Sequence, residues 1–166
     1  GLLHAAIFTR VKGEDCYASA GSETGREVTQ EHVERSEFIV HLDAHAMFAA
    51  DMAKVHEALT QAVNDGLHPA TASAAHLLSA GGKRIRPLSL LLSCACFGPV
   101  NDVARELAVV SELVHLATLL HDDVVDDGDE RRGRATSRRI WGNAVSVLAG
   151  DLLLTHALER TNAVAH

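Results

Sequence analysis

The stretch LLHDDVVDDGDERRGR, residues 119–134, decides how this chain folds and where it can act. It holds six carboxylates between Asp122 and Glu130, and then three arginines between Arg131 and Arg134. The residues before it are almost entirely apolar, as on a helix that packs in a core. A helix that ends in carboxylates and then reverses its charge indicates a functional site at that end. The alternative is a solvated helix end, which is what most charge runs are.

The composition favours helices. Aromatic residues make up only 4% of the 166 residues, so the core has to be built from Leu, Val and Ala. These residues favour packed helices over a β-sandwich. No stretch shows the alternation of apolar and polar residues that is typical of strands. The predicted fold class is therefore all-α.

The charge and the cysteines exclude several classes of protein. A formal net charge of −7 argues against a general nucleic-acid surface. No run approaches the roughly 20 apolar residues of a membrane span, and the first residues lack the basic lead of a signal peptide. Three cysteines are present, and Cys94 and Cys96 lie in the apolar run LLLSCACFG. They are interpreted as small buried hydrophobes in a cytoplasmic protein, with a Cys-x-Cys metal site as the alternative.

Two regions differ in periodicity. Residues 1–38 show no pattern and are predicted to form a loose extension, whereas residues 39–166 show helical periodicity. Asp102 is the expected N-cap of the helix that carries the acidic run. The segment LSLLLSCACF before it is apolar on every side and is predicted to be a buried helix. The predicted helices cover residues 41–63, 70–80, 88–97, 103–127 and 142–164.

The acidic run has the spacing of a metal site. Asp122 and Asp126 are four residues apart, and so are Asp123 and Asp127. On a helix such pairs share a face with Cβ atoms about 5–6 Å apart, so the carboxylates repel each other unless a cation lies between them. The C-terminal end of a helix also disfavours negative charge. Oxygen ligands without Cys or His select Mg²⁺, which also binds phosphate oxygens, so the pattern predicts a magnesium site.

Two basic clusters accompany the acidic run. Arg131 and Arg132 follow it, and the segment GGKRIRP supplies Lys83, Arg84 and Arg86. Guanidinium groups match phosphate oxygens, and the backbone amides of a glycine-rich turn can approach an anion. The two clusters predict two anion sites that flank one magnesium site, which fits a pair of diphosphate substrates.

Three segments carry a family resemblance. GGKRIRP, ELVHLATLLHDDVVDDGDERRG and WGNAVSVLAGDLLL, within residues 70–160, resemble the trans-isoprenyl diphosphate synthases, or polyprenyl synthetases, in order and spacing. The resemblance implies the isoprenoid-synthase helical bundle, of which residues 39–166 are expected to be the amino-terminal half. It also implies a Mg²⁺-dependent prenyltransferase that condenses isopentenyl diphosphate with an allylic diphosphate. A homodimer is implied for the full-length protein.

The family motif DDxxD followed by RRG assigns roles by resemblance. Asp122, Asp123 and Asp126 would be catalytic, with Asp122 and Asp126 holding Mg²⁺. Arg131 would bind the allylic diphosphate. The residues expected to hold isopentenyl diphosphate are Lys83, Arg86, His115 and Arg132. His115 also lies seven residues before Asp122, on roughly the same helix face, and the alternative for it is a core histidine.

Two small residues bear on the length of the product. Ala117 and Thr118 lie five and four residues before Asp122, one turn deeper on the expected cavity face. In the family, bulky aromatics at these positions stop chain growth early. These chain-length wall residues therefore predict a medium- or long-chain polyprenyl product. The alternative is that other helices form the floor of the cavity.

The chain departs from the family in one large respect. The family carries a second aspartate-rich motif downstream, and none occurs in these 166 residues. We therefore expect this chain to be inactive alone and to be part of a longer enzyme. A non-catalytic partner subunit of a full-length synthase is the alternative. A class I terpene cyclase ranks below both, because a cyclase binds one diphosphate and needs neither GGKRIRP nor His115.

Overall fold

A computed structural model describes residues 44–165 of the chain. Contacts divide the chain into two units, Gly1–Met47 and Phe48–His166, and every element after α1 belongs to the second. The elements are α1 (Ala44–Met47), α2 (Ala49–Asn64), α3 (Ala70–Ser79), α4 (Ile85–Phe97), α5 (Asp102–Val125), β1 (Glu130–Arg131), β2 (Arg134–Ala135), α6 (Ser137–Trp141) and α7 (Asn143–Ala165). The all-α prediction is confirmed, apart from one two-stranded ribbon.

Two predictions about the start of the chain concern positions before residue 44, where the description begins. The predicted boundary at residue 38 and the predicted helix start at His41 lie outside the described residues. Within the described residues, the first predicted helix is interrupted at Phe48, and α2 then ends at Asn64 where the NDG break predicts. Among residues 44–165, no helix combines the length and the apolar character needed to cross a membrane.

Helix α5 is the centre of the second unit, because its apolar residues recur at three- and four-residue steps along one face. Leu113, Leu116 and Leu120 on this face are buried. Helix α5 packs most extensively against α7, and it also contacts α2 and α4. Burial of each leucine side chain stabilises the fold by about 1.5–3 kcal/mol.

Small residues let α7 approach the end of α5. A side chain at Gly150 would collide with the imidazole ring of His121. Ser146, one turn earlier on α7, is fully buried and donates a hydrogen bond to the carbonyl oxygen of Leu120 at 3.1 Å. The two helices therefore approach each other closely near the point where the acidic run begins.

The prediction that α4 is buried on every side is wrong. Leu88 and Leu91 are buried, but the side chain of Leu92 is 38% exposed and that of Phe97 is 91% exposed. The reason is that α4 packs mainly against α5 and has few contacts with the other described elements. The two cysteines of α4 are half-buried and free, rather than fully buried.

The N-cap of α5 is Asn101, so the prediction that Asp102 caps this helix is wrong. Asn101 has an extended backbone, and its side-chain oxygen accepts a hydrogen bond from the amide of Ala104 at 2.8 Å. Asp102 is already the first helical residue, and it pairs with Arg105 at 2.5 Å. An N-cap needs non-helical dihedral angles and an oxygen that reaches an amide of the first turn, and Asn101 alone meets both conditions.

Helix α5 ends earlier than predicted. Its last helical residue is Val125, and Asp127 has a positive φ of 52° outside the helix. Asp123 and Asp127 are therefore not a pair on one helix face, and that part of the metal-site prediction is wrong. Asp126 closes the helix through its amide, which donates to the carbonyl oxygen of Asp122 at 2.8 Å.

A hairpin that the sequence did not predict follows α5. Strands β1 and β2 are antiparallel, with Arg131 opposite Arg134. The turn residues Arg132 and Gly133 have positive φ angles of 51° and 73°, as in the tight turns that join twisted strands. We call residues 130–135 the arginine hairpin.

We expect Asn101→Ala to lower the free energy of unfolding by about 1 kcal/mol, because the Ala104 amide loses its partner. Asn101→Asp keeps a capping oxygen and should have almost no effect. Asp102→Ala removes only an ion pair whose carboxylate is exposed, and it should change the free energy of unfolding less than Asn101→Ala does. Urea denaturation measures all three. A larger loss for Asp102→Ala than for Asn101→Ala would contradict the cap assignment.

Candidate functional site

A cleft of about 580 Å³ opens between the loop before α4, the middle of α5 and the arginine hairpin. Its wall contains all of the residues that the sequence predicts to bind diphosphate groups. They are Lys83, Arg86, His115, Arg131 and Arg132. Segments far apart in the chain thus meet as one strongly basic surface.

Glycine residues bring two basic segments together at this cleft. Gly82 has φ 158°, and a Cβ atom there would lie 3.0 Å from the guanidinium of Arg132. The same guanidinium donates a hydrogen bond to the carbonyl oxygen of Gly81. The missing side chain at position 82 therefore lets the loop before α4 lie directly against the arginine hairpin without a shift of the Arg132 guanidinium.

Arg84 has a structural role that separates it from Lys83 and Arg86. Its guanidinium lies 2.6 Å from the carboxylate of Glu112 and also donates to the carbonyl oxygen of Leu78 at 3.1 Å. The Glu112 side chain is only 5% exposed, so the pair neutralises a buried charge. Among residues 44–165, the side chains of Lys83 and Arg86 have no ion-pair partner, and both are exposed.

Sequence reasoning missed Glu112. The available signal was a charged residue inside the apolar run SELVHL, three residues before His115 on the same helix. A buried carboxylate at such a place requires a cation on a neighbouring element. Glu112 therefore connects α5 to Arg84, which lies between Lys83 and the first turn of α4 with Arg86.

His115 is a half-buried imidazole in a cationic cleft. Burial lowers its pKa, Arg86 lowers it further, and Glu112 opposes the shift. The arginines of the hairpin add smaller lowering effects. A neutral imidazole can donate one hydrogen bond and accept another, so His115 is suited to a polar contact rather than to carrying charge.

Asp123 differs from its two acidic neighbours. Its side chain is 6% exposed, and its Oδ1 atom accepts hydrogen bonds from Nη2 of Arg131 at 2.8 Å and from Nε at 3.1 Å. Asp122 and Asp126 are exposed at the end of α5. Asp123 is therefore buried and engaged by Arg131, unlike the two carboxylates predicted to hold Mg²⁺, and its catalytic role stays a prediction.

The exposed carboxylates fit a magnesium ion only together with a substrate. In the part of the chain that the structure describes, no group of three or more His, Cys, Asp or Glu residues is placed to hold a metal. The Cys-x-Cys alternative therefore gains no support. Mg²⁺ is commonly held by one or two carboxylates plus phosphate oxygens and waters, which Asp122 and Asp126 could provide beside a basic cleft. The magnesium site stays a prediction.

The two predicted chain-length residues do not share a surface. Thr118 is exposed, and its hydroxyl donates to the carbonyl oxygen of His115 at 2.7 Å. Ala117 is fully buried in the helical core. The placement of Ala117 on a cavity wall therefore needs correction, since a step of one residue turns the side chain by about 100° around the helix.

Comparisons with known proteins give one consistent result. The family model described as polyprenyl synthetase matches residues 68–166. The chain is 44% identical over 117 residues to heptaprenyl diphosphate synthase component 2 of Geobacillus stearothermophilus, covering 70% of this chain and 36% of that relative. The chain thus spans about a third of the length of the curated relatives it matches.

Solved structures agree with this match. The structure resembles a decaprenyl diphosphate synthase from Rhodobacter capsulatus with a TM-score of 0.70 and 36% identity, over 74% of this chain and 38% of that one. It also resembles a polyprenyl synthase from Caulobacter crescentus, complexed with calcium and isoprenyl diphosphate, with a TM-score of 0.69 and 42% identity. That match covers 72% of this chain and 37% of the other.

We expect the imidazole of His115 to titrate below its ordinary value of 6.5. Because the unfolded chain then binds this proton more tightly than the folded one, the contribution of His115 to the free energy of unfolding should be complete above pH 6.5. This contribution should be lost as the pH falls through the lowered pKa of the folded state. Arg86→Gln removes a nearby cation and should raise this pKa. Arg139→Gln makes the same charge change on an exposed residue outside the cleft and should not.

An NMR titration of the imidazole signals measures this pKa, with His115→Gln to assign the signal. A titration at or above 6.5, or equal values in the wild type and Arg86→Gln, would contradict the electrostatic account of the cleft.

Proposed function

The chain belongs to the polyprenyl synthetase family, and from that premise we propose that it is the diphosphate-binding part of a trans-prenyltransferase. The reaction joins isopentenyl diphosphate to an allylic diphosphate and gives a longer polyprenyl diphosphate. One observation supports the proposal most. The basic cleft runs along α5 as far as Leu119, three residues before Asp122, and the carboxylates of Asp122 and Asp126 are exposed beyond it.

The cleft would hold the diphosphate of isopentenyl diphosphate. Lys83 and Arg86 offer cations with no competing partner among the described residues, and Arg132 is fixed beside them. His115 would donate a hydrogen bond to a phosphate oxygen. A bound anion would also oppose the lowering of the His115 pKa by the neighbouring arginines. Charge-assisted bonds of this kind contribute about 1.5–3 kcal/mol each.

The allylic diphosphate would lie at the end of α5. Asp122 and Asp126 would hold Mg²⁺, which when bound supplies positive charge that stabilises a departing diphosphate. Arg131 would contact the same diphosphate, and its ion pair with Asp123 at 2.8 Å would fix the position of the guanidinium. The Caulobacter crescentus polyprenyl synthase was crystallised as a complex with calcium and isoprenyl diphosphate, which supports a divalent cation in a site of this kind.

The chemistry follows from this arrangement. The bond from the allylic carbon to its diphosphate breaks, and the double bond of isopentenyl diphosphate attacks the cation-like carbon. A proton is then lost, which leaves the chain one isoprene longer. The basic residues would stabilise the charge on the departing diphosphate, and an apolar surface is needed to keep water from the cation. Val114 and Thr118 on the exposed face of α5 would contribute to that surface.

A medium- or long-chain product is the favoured outcome. Thr118 is small, and Val114, one turn further from the acidic end, is 40% exposed and of moderate size. Relatives named for heptaprenyl and decaprenyl products support this choice. Ala117 is not used to predict the product length, because its side chain is buried in the helical core.

A second function is favoured by the name of one relative. The Geobacillus stearothermophilus protein is called component 2 of a heptaprenyl diphosphate synthase, which supports assembly with another chain. In that case the chain would act as a partner subunit rather than in the homodimer that the family resemblance implies. Because it has one aspartate-rich segment, we expect these 166 residues alone to release no product. A terpene cyclase stays the least favoured alternative.

We expect isopentenyl diphosphate to bind this chain, and Lys83→Gln or Arg86→Gln to weaken the binding about 10- to 100-fold. Isothermal titration calorimetry measures the affinity, and Arg139→Gln is the matched control. Binding of an allylic diphosphate without binding of isopentenyl diphosphate would favour a cyclase. Equal affinities for the Arg86 and Arg139 variants would contradict the assignment of the cleft.

We expect Mg²⁺ to strengthen the binding of an allylic diphosphate, and Asp122→Asn to remove that increase while the protein stays folded. In an active assembly that contains this chain, the same variant should reduce turnover at least about 100-fold. Glu130→Gln is the control, since it removes an exposed carboxylate next to the same loop. Calorimetry with and without Mg²⁺ tests the site, and an undiminished Mg²⁺ effect in Asp122→Asn would refute it.

A further inference from the structure

We propose that His76 is a positioning residue for the arginine hairpin and thereby sets the diphosphate affinity of the cleft. The inference rests on the proposed function, since it concerns the same cleft. His76 lies on α3 and is not among the residues that line the cleft, whereas Arg131 and Arg132 of the hairpin are. Its effect on a ligand would therefore pass through the hairpin.

The arginine hairpin needs support from outside. Its ladder consists of only two residue pairs, and a two-stranded ribbon of this size is not stable by itself. Its turn also holds Arg132 at φ 51°, a left-handed conformation that is unfavourable for a residue with a Cβ atom. Contacts with neighbouring elements must therefore hold the hairpin in place.

Both ring nitrogens of His76 meet the hairpin. Nε2 lies 2.8 Å from the carbonyl oxygen of Ala135, and Nδ1 lies 3.4 Å from Nη2 of Arg134. A carbonyl oxygen only accepts, so Nε2 has to carry the proton. Nδ1 is then free to accept from the guanidinium. The contacts thus select one tautomer of a neutral ring.

The His76 ring is itself held in place. Its centroid lies 5.4 Å from the ring of Trp141 on α6, at an edge-to-face angle of 73°. Beside it, Arg134 donates to the hydroxyl of Ser79 at 3.1 Å. The C-terminal part of α3 therefore fixes strand β2 from one side.

Arg131 and Asp123 fix strand β1 from the other side, at the end of α5. The hairpin is thus held between two helices, and its turn residue Arg132 also donates to the carbonyl oxygen of Gly81 in the loop before α4. Removal of the His76 attachment should leave the fold intact and let the hairpin move, so that Arg131 and Arg132 meet a diphosphate less often in the binding geometry.

The test compares three histidine variants of this chain. His76→Ala removes both contacts, and His76→Gln keeps a donor close to the position of Nε2. His156→Ala is the matched control, because His156 Nε2 makes an equivalent 2.8 Å contact with the carbonyl oxygen of Asp65, away from the hairpin. Amide hydrogen exchange of residues 128–136 reports on the hairpin. Calorimetry with inorganic diphosphate and Mg²⁺ reports on the cleft.

We expect His76→Ala to speed exchange in the hairpin and to weaken diphosphate binding, each about fivefold. His76→Gln should restore most of both, and His156→Ala should change neither. Nitrogen-15 shifts of the wild-type ring should show the Nε2–H tautomer. These results together support a positioning role.

Other outcomes separate the two proposals. Unchanged exchange in His76→Ala overturns the positioning role, and so does faster exchange with unchanged diphosphate affinity. Failure of the wild type to bind diphosphate overturns the proposed function, and with it the link from His76 to the ligand. In that case the exchange data still decide whether His76 holds the hairpin.

Discussion

A carboxylate is buried at the end of α5, and a buried charge is stable only beside an opposite charge. Arg131 supplies that charge to Asp123 from eight residues further along the chain. The chain therefore has to turn back as soon as the helix ends. Its return brings Arg132 against the loop before α4 and closes one side of the cleft. The ion pair between Asp123 and Arg131 thus sets the shape of the site.

The same requirement separates the cations of the site into two groups. Arg84 is neutralised by the buried carboxylate of Glu112. Lys83 and Arg86 have no such partner among residues 44–165 and are exposed. The sequence shows all of them as equal basic residues. Their partners decide which ones are available to an anion.

Much of the fold was predictable, because burial of one helix face places apolar residues at three- and four-residue steps in the sequence. This periodicity predicts the helices α3, α5 and α7. The family resemblance adds the expectation that Lys83 and His115 belong to one binding site. The cap of α5 and the environment of its acidic end depend instead on local backbone geometry. Asn101 and Asp102 are both good caps, and only the backbone at the turn decides between them. The burial of Asp123 depends on a hairpin that has no periodic signal.

Two arginines of the site have left-handed backbones, Arg84 with φ 48° and Arg132 with φ 51°. Protein engineers commonly relieve such residues by substitution with glycine, which adopts these angles at no steric cost. Here that change would delete the guanidinium that balances Glu112 or the one that contacts Gly81. Glycine at position 84 would leave the buried Glu112 carboxylate unpaired and destabilise the fold, and glycine at position 132 would remove a cation of the proposed diphosphate site.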